Sequence, residues 1–191
     1  MRPETLDASL EMARRIGVGR ITIGGGEPTV HPRFRDVVGA VLGAAGAGDV
    51  TVGIVTNGKR KADALWIADL ARQGLLYASL SQDRFHEPID PDVVGAFTTP
   101  DQREEGLLPF FARDAHDENL RISRVLEHEV MPMGRASEWG TAYHKRCCGG
   151  PFVTPGGRIF ACQCREFDFG TVLAYRIPRE WAEMDHPCGK D

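Results

Sequence analysis

Cysteine is absent from the first 146 residues of this 191-residue chain, and long apolar runs are absent throughout. No stretch approaches the roughly 20 apolar residues that a helix needs to cross a bilayer. The amino-terminal segment MRPETLDASLEMARR is charged, which is not typical of a secretory signal. The sequence therefore predicts a cytoplasmic protein with no membrane partner, in which thiols stay reduced.

A strong excess of positive charge is also missing. The formal net charge is -4, and the basic residues are scattered apart from the short run Lys59-Arg60-Lys61. This distribution excludes the electrostatic footprint of a nucleic-acid-binding protein. The hydrophobic fraction of 42% is ordinary for a globular chain. The length suits one well-buried domain with a small appendage.

Helix and strand patterns alternate along the first two thirds of the chain. Short connections between alternating elements indicate a parallel sheet with crossover helices. After Pro132 the chain becomes rich in Gly, Pro and Cys, and we predict a boundary at 136–146. The predicted domains are 1–136 and 137–191. The predicted helices span 3–16, 33–46, 61–73 and 107–116, and the predicted strands span 20–24, 50–55, 75–80, 120–130, 151–154 and 158–161.

A glycine-rich turn, Gly24-Gly25-Gly26-Glu27-Pro28, separates the first predicted strand from the next helix. In parallel α/β sheets, ligands bind at the carboxyl ends of the strands, and glycines allow a ligand to approach the backbone. The Glu27 carboxylate adds an acceptor for an ammonium group. The turn is neither a P-loop nor a dinucleotide fingerprint. From these residues alone, a tight turn with an exposed glutamate stays open.

The cysteines are concentrated near the end of the chain. Thiolates at this density suit an iron–sulfur cluster or zinc. Spacing alone leaves both metals open, including a zinc staple with no redox role. The five candidate metal ligands are Cys147, Cys148, Cys162, Cys164 and Cys188.

Residues 21–34, ITIGGGEPTVHPRF, closely resemble the GGEP segment of radical S-adenosylmethionine (radical SAM) proteins. Thr56-Asn57-Gly58 and residues 79–86 resemble the family's next two strand ends. The resemblance implies an α/β fold with an incomplete parallel (β/α) barrel of radical SAM type, followed by a small cysteine-rich metal module. It also implies S-adenosylmethionine as the cofactor. The cofactor-binding residues it implies are Gly25, Gly26, Glu27, Thr56, Asn57, Ser81 and Asp83.

The cysteine region resembles the SPASM and twitch modules, which hold auxiliary iron–sulfur clusters beside radical SAM domains. The spacing Cys147-x9-Gly157-x4-Cys162 is similar to the opening of those modules, and VTPGGRIFACQC resembles their hairpin. The resemblance therefore implies an auxiliary iron–sulfur cluster on the five cysteines. Zinc is the alternative metal, the identity of the fourth ligand stays open, and one or both of Cys147 and Cys148 can bind the metal.

The family's defining Cys-x3-Cys-x2-Cys motif, which holds the cluster that cleaves S-adenosylmethionine, does not occur in these 191 residues. Three explanations stay open: a fragment of a longer protein, which we favour, a chain that works with a partner carrying the cluster, or a degenerate relative. The parent activity that the resemblance implies is radical modification of a peptide or small molecule. Whether this chain is an enzyme stays open. The alternative is a non-catalytic protein, stapled by zinc or an iron–sulfur cluster, that binds a ligand or peptide.

Overall fold

A computed structural model of the chain describes residues 1–46, 50–82, 87–98, 151–160 and 168–176, together with the backbone of 122–126. The chain divides into two compact units, one of Met1–Gly17 with Glu129–Asp191 and one of Val18–His128. The predicted boundary at 136–146 lies outside the described residues, so the predicted domains 1–136 and 137–191 stay predictions.

The unit Val18–His128 is built on a four-stranded parallel sheet. Its strands follow one another in sheet order, and every neighbouring pair is parallel. The four predicted strands of this region are thus confirmed, with bounds shifted by a few residues. The strands are β1 (Arg20–Ile23), β2 (Thr51–Thr56), β3 (Tyr77–Gln82) and β4 (Ile122–Leu126).

Helices cover the sheet in this unit, with α2 contacting β2 and α3 contacting β3. Alternate residues of a strand face opposite sides of a sheet, and Val52 and Ile54 of β2 share their buried face with Ala78 and Leu80 of β3. The predicted helix over 107–116 lies outside the described residues. The helices are α2 (Phe34–Ala45), α3 (Lys61–Arg72) and the short, unpredicted α4 (Pro91–Ala96).

The unit Met1–Gly17 with Glu129–Asp191 combines a helix with a four-stranded antiparallel sheet. Met12 of the helix forms a small core with Ile159 and Val172. The predicted helix 3–16 and both predicted strands are confirmed, and Gly17 ends the helix at φ 67 as its position suggested. The elements are α1 (Pro3–Ile16), β5 (Phe152–Val153), β6 (Arg158–Phe160), β7 (Asp168–Thr171) and β8 (Ala174–Tyr175), the strands being in sheet order.

The expected incomplete barrel of radical SAM type is wrong, whereas the cysteines of the expected metal module lie outside the described residues. The described residues form two small sheets, one parallel and one antiparallel, and nothing in their arrangement is barrel-like. Closing a sheet into a barrel requires tilted strands and pairing between its two ends, as in barrels of about eight strands. Alternating helices and strands indicate parallel pairing, but they do not determine whether the sheet closes. Within the described ranges, no helix is both long and apolar enough to cross a membrane.

Gly58, in the turn after β2, has a left-handed φ of 73 and contacts the core. A methyl group there would lie 2.8 Å from Leu80 Cδ1, 3.0 Å from Ile89 Cγ2 and 3.1 Å from Val93 Cγ1. We predict that Gly58→Ala lowers the free energy of unfolding by about 2–4 kcal/mol, from backbone strain and overpacking. The control Gly43→Ala, which meets open space on α2, should raise it by about 0.5–1 kcal/mol. Urea denaturation measures both, and a wild-type midpoint for Gly58→Ala would contradict the prediction.

The pKa of Glu11 on α1 is lowered from its ordinary value of 4.5 to about 2, first because Arg14 donates hydrogen bonds to the carboxylate and then because Arg15 does. A depressed pKa in the folded state stabilises the fold above pH 4.5, and this contribution is lost as the pH falls towards 2. NMR titration should place the Glu11 midpoint near 2. The variant Arg14→Gln/Arg15→Gln should return it towards 4.5, and an unchanged midpoint would disprove the assigned cause.

Candidate functional site

The candidate site lies at the carboxyl edge of the parallel sheet. Because β1, β2 and β3 are parallel, the segments that follow them leave the sheet at the same edge. These segments contain the glycine turn after β1, the turn Thr56-Asn57-Gly58 after β2, and the end of β3 at Ser81. Parallel α/β sheets bind ligands at this edge.

The glycine turn is open to solvent. Gly24, Gly25 and Gly26 are all exposed, and a methyl group built on any of them would meet no heavy atom within 4 Å. Gly25 has a φ of 133, which favours glycine, whereas Gly26 has no such constraint. A 3₁₀ turn, Pro28–Val30, follows immediately and fixes the far end of the loop. The backbone of the glycine turn is therefore accessible to a ligand.

The Glu27 side chain points away from that open surface and into a set of protein donors. Its Oε1 accepts hydrogen bonds from the Thr29 backbone N–H at 3.1 Å, the Thr29 hydroxyl at 2.6 Å and the Thr56 hydroxyl at 2.8 Å. Its Oε2 accepts a hydrogen bond from the Asn57 backbone N–H at 2.7 Å. A carboxylate has about four lone-pair positions. Three of the four donors bind Oε1 and one binds Oε2, so the carboxylate joins the two turns, and among the described residues Oε2 has one donor for its two lone pairs.

The turn after β2 is ordered by its own side chains as well. The Thr56 side chain is buried, and its hydroxyl accepts a hydrogen bond from Gly58 N–H at 3.1 Å while donating to Glu27. Asn57 is half-buried, and its Oδ1 accepts a hydrogen bond from Lys59 N–H at 3.0 Å. The structure thus brings together Glu27, Thr56 and Asn57, which are joined by hydrogen bonds to the Glu27 carboxylate. Their binding of a cofactor stays a prediction.

Ion pairs connect this turn to the segment after β3. Lys59 Nζ lies 2.7 Å from Glu87 Oε2, and this contact lowers the pKa of Glu87. Lys61 Nζ lies 2.5 Å from Asp92 Oδ2 and 3.0 Å from Asp90 Oδ2, and hydrogen bonds to Asp92 and then Asp90 raise the pKa of Lys61. All five groups reach solvent, so each pair contributes little to stability.

The remaining predicted site residues divide into two groups. Ser81 lies near the end of β3, half-buried, in register with Val125 of β4. Asp83 lies outside the described residues, and so do the predicted metal ligands. No three His, Cys, Asp or Glu side chains among the described residues could together hold a metal ion. Because that set includes no cysteine, metal binding stays a prediction for Cys147, Cys148, Cys162, Cys164 and Cys188.

Sequence reasoning missed Thr29, which supplies two of the four donors to Glu27. A signal was present, since a threonine two residues after a carboxylate is a common local side-chain-to-backbone motif. It also missed the pairing of Lys59 and Lys61 with the acidic residues after β3, because more than 25 residues separate these partners in the chain.

Comparison with known proteins identifies no relative of this chain. No family model matches it, and neither a curated protein nor a solved structure matches it.

Proposed function

We propose that the unit Val18–His128 binds S-adenosylmethionine at the carboxyl edge of its parallel sheet, and that the chain is a radical SAM-type protein. The proposal assigns recognition of the cofactor to Gly25, Gly26 and the adjoining polar residues of the next two strand ends. It retains the sequence resemblance of residues 21–34 as its chemical motivation. It does not require a closed barrel, since the site involves three neighbouring strands.

One observation carries the proposal: an exposed three-glycine backbone lies beside a second turn that is held in place by Glu27. Gly25 and Gly26 are exposed, and among the described residues no heavy atom lies within 4 Å of a Cβ built on either, so their N–H and C=O groups offer donors and acceptors that a ligand can reach. The polar, half-buried Asn57 and Ser81 follow along the same edge. A ligand that is polar at one end and extends over several strand ends fits such an edge.

S-adenosylmethionine has those properties, with an ammonium and a carboxylate at one end, ribose hydroxyls in the middle and an adenine base at the other end. Its reactive centre is a sulfonium, which supplies the chemistry when the cofactor is bound. The contribution of this chain is to bind and orient the molecule through the glycine turn and the turn after β2. The predicted cysteine ligands lie outside the described residues, so we derive no chemical step through a cluster.

The wider proposal keeps an auxiliary iron–sulfur cluster on the C-terminal cysteines and a parent activity of radical modification of a peptide or small molecule. We place the protein in the cytoplasm, where thiolates stay reduced. The alternative is a non-catalytic, zinc- or iron–sulfur-stapled protein that binds a ligand or peptide. That alternative is favoured by the Glu27 carboxylate, whose four hydrogen bonds from protein donors hold the two turns together without any ligand.

Binding of S-adenosylmethionine is tested by calorimetry on the full chain. Gly26→Val should weaken binding by about tenfold or more, equivalent to about 1.4 kcal/mol, because the side chain covers an open backbone without straining it. The matched control is Gly19→Val, an exposed glycine at the amino end of β1 with open space around its Cβ. That control should bind like the wild type. No binding by the wild type, or equal loss in both variants, would contradict the proposal.

The metal is tested by anaerobic reconstitution of the full chain with iron and sulfide, in competition with zinc. We expect iron uptake with thiolate-to-iron absorption, because a cluster of cysteine thiolates suits iron and sulfide. Cys162→Ala/Cys164→Ala should lose most of that absorption. Uptake of zinc with no iron would disprove the cluster and favour the staple.

A further inference from the structure

The Glu27 carboxylate was expected to contact the ligand, but its surroundings suit a different role. It is half-buried, and its four hydrogen bonds come from two segments that are nearly 30 residues apart in the chain. Two of the donors are backbone N–H groups, of Thr29 and Asn57. The Asn57 N–H lies just beyond β2, where the strand pairing no longer supplies an acceptor, and the Thr29 N–H lies in the 3₁₀ turn Pro28–Val30, which the Glu27 side chain caps. A buried or half-buried N–H without an acceptor is costly.

We propose that Glu27 is a positioning residue: its carboxylate fixes the turn after β2 against the glycine turn, and ligand affinity depends on this link and not on a contact between the carboxylate and the ligand. The inference rests on the proposed function for its ligand. The inference goes beyond the proposed function in stating which atoms contact the ligand. The Glu27 carboxylate does not contact it and acts by positioning Asn57 and Thr56.

Substitutions at Thr29 and Thr56 distinguish direct ligand contact by Glu27 from a positioning role. Thr29 and Thr56 are each 1% exposed, so neither side chain can touch a ligand at the surface. If Glu27 bound the ligand directly, removing their hydroxyls would release lone pairs on Oε1 and leave affinity equal or higher. If Glu27 positions the turns, removing the hydroxyls loosens its carboxylate and weakens binding. Valine is nearly isosteric with threonine, so the change is confined to hydrogen bonding.

The first measurement needs no ligand: amide hydrogen exchange of Asn57 in the wild type and in Glu27→Gln. If the Gln carbonyl oxygen keeps the three donors of Oε1, its NH2 group faces the Asn57 N–H, which loses its acceptor. Exchange at Asn57 should become about tenfold faster or more. Exchange at Ile54, in the middle of β2, should stay unchanged and reports that the fold is intact. An unchanged rate at Asn57 would overturn the inference.

The second measurement is S-adenosylmethionine affinity of the full chain. We expect Glu27→Gln and Thr29→Val/Thr56→Val to weaken binding by a similar factor of about ten. The variant that combines all three substitutions should bind only slightly more weakly than either, because they remove the same link. The conservative variant Thr29→Ser/Thr56→Ser keeps both hydroxyls and should restore wild-type affinity. Loss in Glu27→Gln with wild-type affinity in the valine variant would overturn the inference in favour of direct contact. Absence of binding by the wild type would overturn the proposed function instead, and Asn57 exchange would then decide the role of Glu27.

Discussion

The hydrogen bonds of the Glu27 carboxylate are the contact on which the candidate site depends. At the carboxyl edge of a parallel sheet the regular ladder ends, and the backbone N–H groups beyond it need acceptors from elsewhere. One charged side chain supplies the acceptor for the Asn57 N–H beyond β2, for the Thr29 N–H in the following 3₁₀ turn, and for two hydroxyls. Hydrogen bonds to a charged acceptor are the strong ones, typically about 1.5–3 kcal/mol each. The turns after β1 and β2 are therefore held as one piece.

Glycine has two opposite uses within this short edge. At Gly58 it allows close packing, because a side chain would collide with Leu80, Ile89 and Val93. At Gly24, Gly25 and Gly26 the surroundings are empty, so packing does not explain the absence of side chains. Gly25 needs glycine for its φ of 133, but Gly24 and Gly26 have neither a positive φ nor a close neighbour, and the run exposes backbone that an incoming molecule can use. This contrast is the physical basis for placing a ligand at the glycine turn.

At the carboxyl edge of the parallel sheet, the turn after β2 is joined more strongly to the glycine turn than to the segment after β3. Glu27 joins the first two turns through partly buried, charge-assisted hydrogen bonds, whereas the segment after β3 is joined through exposed lysine–carboxylate pairs. Exposed pairs are screened by salt and contribute little. A segment held by exposed ion pairs opens at a lower free-energy cost than one held by partly buried hydrogen bonds. We therefore expect the first two turns to form a rigid part of the site, and the segment 87–92 to be held more weakly.

The sequence by itself determined the local elements: α1, α2 and α3 follow from apolar periodicity and end signals, β1 and β2 from short β-branched runs, and β3 from a short, mainly apolar run. It missed α4 because six residues give too little periodicity, although Asp90 and Pro91 mark its start. It missed β7 and β8, of four and two residues, because the pairing of β7 with β6 and of β8 with β7, and not a local pattern, makes them strands. Tertiary structure alone decided that the parallel sheet is not a barrel, because helices and strands alternate along the chain in the same way in open sheets and in closed barrels. It also decided the partners of Glu27, because the register of β1 against β2 brings Thr56 and Asn57 to a carboxylate nearly 30 residues earlier in the chain.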